Sequence, residues 1–173
     1  MKKLALLAVV AFNLTGCTND EDLFAGFEPP FSASGKWKLT AMQVETPVDI
    51  NGDGIATTDY MTETGCCQDE FLEFYSDDTG MAISNSYVNL TVEGEFPEVS
   101  FTSECVEEIS QTAITNYTIE NDVITITEED GTILTGTLEG NKITFVIPEG
   151  QIYFDEEMNV LLTEDLTLVY TQQ

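Results

Sequence analysis

A single all-β domain, an antiparallel up-and-down barrel, is the fold this sequence predicts, on three observations. β-Branched and aromatic residues alternate with polar ones from Gly35 onward, turn residues recur about every ten positions in the second half, and no window carries a convincing helical period. A meander of roughly eight to ten such strands has one dry face to hide, and closing on itself hides that face and removes the sheet edges. A two-sheet β-sandwich is the alternative, because period-two alternation does not distinguish closure from stacking.

The elements follow in chain order. Residues 1–16 begin Met1-Lys2-Lys3 and run apolar from Leu4 to Phe12, the pattern of a secretory signal peptide and too short to span a bilayer of about 30 Å. Residues 17–34 carry Asn19-Asp20-Glu21-Asp22 and Pro29-Pro30 with no period that buries a face, which predicts a flexible acidic tether. The domain proper is expected over 35–173. Val88, Leu90 and Val92 share one side of a strand; Ile143, Phe145 and Ile147 repeat the pattern, as do Leu166, Leu168 and Tyr170. Turns are expected at Asp77-Asp78-Thr79-Gly80, Glu93-Gly94, Glu129-Asp130-Gly131, Glu139-Gly140-Asn141 and Glu149-Gly150, with a helical turn allowed within 104–113.

Composition excludes several functions. The chain has 32 acidic residues against five lysines and arginines, no histidine, and a formal charge of −27. Loss of residues 1–16 removes two of the basic groups and leaves Lys36, Lys38 and Lys142. Such a field repels phosphate backbones, so no nucleic-acid partner is expected. Without histidine or arginine there is no His-dependent triad and no bidentate phosphate clamp. A two-carboxylate hydrolase stays formally open, but the spacing singles out no acid pair, so the expectation is a protein that is not an enzyme.

Two motifs carry chemistry. Asp49-Ile50-Asn51-Gly52-Asp53-Gly54 sets oxygen-bearing side chains at positions one, three and five with glycine at six, the spacing of a calcium loop. The predicted ligands of a low-affinity Ca²⁺ are Asp49, Asn51, Asp53, the carbonyl of Ile55, and Asp59. Position twelve is Tyr60 rather than glutamate, so Asp59, one step early, or Glu63, three steps late, must close the shell. The loop therefore departs from the EF-hand and resembles dockerin-like variants. Cysteines form the second motif. In an oxidising compartment Cys66, Cys67 and Cys105 imply one bridge and one free thiol, and because vicinal cysteines rarely bridge each other, Cys105 takes one of the pair. A zinc site is disfavoured by the missing ligand spacing.

Family resemblances sharpen these expectations. Leu14-Thr15-Gly16-Cys17 resembles the lipobox of bacterial lipoproteins, which implies acylation of Cys17 and membrane attachment through it. The acidic run behind it resembles a surface-export signal. The implied location is the outer membrane with the domain exposed at the cell surface, or alternatively on the periplasmic face. Gly35-Lys36-Trp37, the Cys66-Cys67-Gln68-Asp69-Glu70-Phe71-Leu72-Glu73-Phe74 stretch with Asp78-Thr79-Gly80, and the closing apolar strand resemble bacterial lipocalin-like lipoproteins, a calycin-like barrel. That resemblance implies Trp37 as the plug of the closed barrel end and a Cys66–Cys105 bridge. The arginine that crosses this tryptophan in many lipocalins has no counterpart here. The resulting expectation is an envelope binding protein that holds a small apolar ligand; the alternative is a surface lipoprotein with a solid core that meets a protein partner. Leu72, Phe74, Met81, Ile83, Val99 and Phe101 are the candidate interior, expected to be filled or partly filled, with no polar anchor evident.

Overall fold

The structure, a computed structural model, describes residues 33–95 and 98–173. The predicted signal peptide, Cys17 and most of the tether lie outside these residues. Nine strands and one short helix follow in order: β1 (Gly35–Val48), β2 (Thr57–Asp59), α1 (Tyr60–Thr64), β3 (Phe71–Phe74), β4 (Gly80–Glu95), β5 (Glu98–Glu120), β6 (Val123–Glu128), β7 (Ile133–Glu139), β8 (Lys142–Phe154) and β9 (Val160–Gln172). Strands β3 to β9 pair antiparallel in sequence order. β3 and β9 both pair with β1, Trp37 opposing Leu72 on one edge and Gln172 on the other, which closes an eight-stranded up-and-down barrel. β2 lies beyond β3 on the same edge of β1, with Val48 opposing Thr57.

Strand heights shape the interior. β4 and β5 form a tall hairpin paired from Gly80/Ile114 to Glu95/Glu98, and β8 and β9 form another, whereas β6–β7 is short. Above Ile114, β5 pairs only with β4; above Phe145, β8 pairs only with β9. β4 and β8 approach each other across the barrel in this upper region.

Three apolar cores result, the smallest joining buried Leu39, Cys66 and Cys67, with Met42, Met61, Val88, Leu168 and Tyr170 packed against them. The lower one gathers Trp37, Leu72, Phe74, Ile114, Ile124, Ile126, Ile143 and Phe145 from almost every strand. Trp37 is wholly buried and donates its indole N–H to the Ala33 carbonyl at 2.7 Å, so its one polar atom is satisfied inside the core. Gly136 of β7 makes room for the Phe145 ring: a Cβ there would stand 2.8 Å from two ring carbons. The upper core joins Val44 and Val48 of β1, Val92 of β4 and Tyr153 of β8, with Phe101 of β5 packed against it, ring centroids 6.2 Å from Tyr153.

Three expectations are corrected. Glu93-Gly94 makes no turn; it lies inside β4, paired with Ser100 and Val99, and β4 runs on to Glu95. The stretch 104–113 makes no helical turn; it belongs to β5, held in extended form by pairing with β4 along one edge. Glu149-Gly150 ends no strand. It is a bulge inside β8, with Glu149 at φ 54° and the register broken between Ile147 and Gln151. The helix, unforeseen, is only five residues long. Asp59 caps its start, accepting from the Thr62 amide, and left-handed Gly65 ends it.

Candidate functional site: an internal cavity and an oxygen-rich loop

Beside the third core the barrel holds a pocket that opens to the outside past exposed Tyr87 and Ser110. A cavity of about 380 Å³ is bounded by Leu39 and Met42 of β1, Ala82, Ile83 and Val88 of β4, Leu166 and Tyr170 of β9, Tyr60 of α1, Cys67, Glu70 and Gln151. Its volume falls in the range of small-molecule pockets.

The segment 65–70, between α1 and β3, builds one wall, and Glu70 is its anchor. Only 6% exposed, Glu70 accepts from the Asn85 amide (3.0 Å), the Ser86 amide (3.1 Å) and the Ser86 hydroxyl (3.1 Å), which holds the bulge of β4 between Ser84 and Ser86. The Ser86 hydroxyl in turn accepts from the Cys67 amide at 3.0 Å. Cys66 is bonded to Cys105 of β5, so the segment is fastened across β4, and Cys67 keeps a free, buried thiol. The bridge is the one the lipocalin resemblance implied.

Burial sets the protonation of this wall. Cys67 is pushed up by desolvation and by the nearby charge of Glu70. Tyr60 is raised to about 12 by burial and by Cys67, and Tyr170 is raised by burial and then by Glu70 and Cys67. At neutral pH the Tyr60 and Tyr170 phenols and the Cys67 thiol are thus all protonated. No lysine lines the cavity.

Of the expected interior, Leu72 and Phe74 pack into the lower core, Val99 and Phe101 pack against the upper one, Ile83 lines the cavity, and Met81 joins neither a core nor the cavity lining. The polar groups Tyr60, Cys67, Glu70, Gln151 and Tyr170 escaped the sequence reading. Their signal was partial: Tyr170 sits on the predicted dry face, but Cys67 and Glu70 lie just before β3, where alternation gives no phase.

The loop 49–55 joins β1 to β2. Its side chains turn back on its own backbone: Asp49 accepts from the Gly54 amide (2.9 Å), Asn51 from Asp53 (2.9 Å) and Asp53 from Ile55 (2.8 Å). Gly54 has φ 86°, which a side chain at this turn would strain. Buried Glu63 accepts from the Ile50 amide (3.0 Å) and the Thr57 hydroxyl (3.0 Å), binding the loop to α1. Asp59 bonds instead to the amide and hydroxyl of Thr62 in its own helical turn.

The donor set is all oxygen, suited to a hard cation, and Asp49 Oδ1 is buried with no hydrogen-bond partner. Among the described residues, however, no three His, Cys, Asp or Glu side chains stand close enough to hold a metal together. An ion here would depend on the Asn51 amide oxygen and the Ile55 carbonyl beside Asp49 and Asp53. Comparison with family models, with curated proteins and with solved structures finds no match to this chain.

Proposed function

We propose that this chain is an exported, lipid-anchored, non-enzymatic binding protein of the lipocalin-like type, which carries a small apolar molecule at the cell envelope. The observation that supports the reading most is the open pocket of about 380 Å³, lined largely by apolar side chains, in a closed barrel. A pocket of that size weighs against the solid-core alternative. Trp37, buried in the lower core, serves as the stopper of that end. Acylated Cys17 is the membrane anchor, with the domain facing outward from the outer membrane, and calcium bound by Asp49, Asn51, Asp53 and Ile55 stiffens the loop between β1 and β2.

Native mass spectrometry of the chain taken from its own membranes tests the reading. The expected spectrum shows a chain beginning at Cys17, heavier by its acyl groups, with one apolar molecule bound. A chain that keeps residues 1–16, or one that never carries a small molecule, overturns the corresponding part.

A further inference from the structure

We propose that the cavity selects an uncharged apolar molecule whose polar end is a hydrogen-bond acceptor, a carbonyl or ether oxygen received by the Tyr170 hydroxyl, and rejects carboxylates of the same length. This rests on the binder reading above and specifies the chemistry of its ligand.

The lining holds one carboxylate, Glu70, and no cation. Three donors meet Glu70, two backbone amides and a hydroxyl, and all are neutral, so its hydrogen bonds are satisfied while its charge remains. The sole ion pair among the described residues is Lys38 with Asp69 at 3.1 Å, and Lys36 lies over the Phe71 ring. An anionic headgroup entering the cavity would lose its water, meet no positive partner, and stand in the field of Glu70. A neutral headgroup meets neither obstacle.

Tyr170 supplies the complementary donor. Its ring packs edge-on to Phe145 at 6.1 Å, which fixes the phenol. Burial and the neighbouring Glu70 and Cys67 keep that hydroxyl protonated, and therefore a donor, well above neutral pH. Leu39, Met42, Val88 and Leu166 provide the apolar remainder. A phenol that lines the pocket favours ligands that accept its hydrogen bond.

The test compares 2-decanone with decanoate by isothermal titration calorimetry on the full chain at about pH 8. Salt at about 0.5 M shortens the Debye length to a few ångströms and removes the repulsion of the surface charge as a cause. The expected result is binding of the ketone, with decanoate at least tenfold weaker. Tyr170→Phe should weaken the ketone by about three- to tenfold, the worth of one neutral hydrogen bond. Equal binding of both probes overturns the selectivity and leaves the binder reading standing; binding of neither overturns both. A ketone affinity unchanged in a folded Tyr170→Phe removes Tyr170 from the role. If that variant does not fold, the comparison of the two probes on the unaltered chain still decides the selectivity.

Discussion

Asp49 and Glu63 divide the work of the β1–β2 loop. Glu63 is spent on backbone and hydroxyl donors, and Asp59 on its helix cap, so the shell-closing carboxylate expected from spacing is not free on either side. What remains for a cation is Asp49, Asn51, Asp53 and a carbonyl, a weak extracellular-grade set with a dissociation constant of about 10⁻⁴ to 10⁻³ M. Millimolar calcium should therefore raise the melting temperature slightly, by the roughly 1 kcal/mol that a few-fold excess over such a constant supplies. Asp53→Ala should abolish the rise; identical melting of the unaltered chain with and without calcium disproves the site. The ligand spacing of this loop was legible because it is local. Glu63's role was not, because it depends on where a five-residue helix folds back.

Strands were read well wherever one face is dry. Ile143 and Phe145 are buried, as their alternation required, and Val88, Leu90 and Val92 all face the upper core. Misreadings came where a local signal was overruled by pairing: the acid-rich stretch 104–113 became strand because β4 stood beside it, and Glu149-Gly150 became a bulge because β9 continued past it. β7 shows how tightly one element constrains the next. Gly136→Ala would push a methyl group against the Phe145 ring and the Thr144 carbonyl, 2.9 Å away, an overpacking cost of about 1–3 kcal/mol. Chemical denaturation should show that loss as a lowered midpoint with an unchanged slope; a midpoint equal to that of the unaltered chain would mean that the ring yields freely.

At the scale of the molecule, four of the six tyrosines hold their protons against high pH, Tyr117 and the three most affected, Tyr60, Tyr153 and Tyr170. Burial raises Tyr60 to about 12 and also raises Tyr153 and Tyr170, Tyr153 further through its 2.8 Å bond to buried Glu164. Both folded and unfolded chains keep these protons below the ordinary value near 10, so the contribution to stability is complete there. Above it the unfolded chain releases them first, and stability falls as pH climbs toward 12. The melting temperature should hold from about pH 7 to 9 and drop from about pH 10, with phenolate absorbance from these three appearing together with unfolding. Full ionisation near pH 10 in an intact fold would contradict the burial described. Closure of the barrel was predictable from the count and spacing of strands. Its pocket was not, because unequal hairpin heights and a wall pinned by Glu70 arise only once distant segments meet.

Those unequal heights leave β5 and β8 each with a bare margin of backbone donors and acceptors, the kind of surface on which sheets of different molecules fuse into fibrils. Glu104, Glu107 and Glu108 lie along one margin, while Pro148 and the kink at Glu149 interrupt the other. With a charge of −27 behind them, neighbouring copies repel before their margins can align. The acidity that names no partner thus has a colloidal use: it lets many copies crowd together without joining.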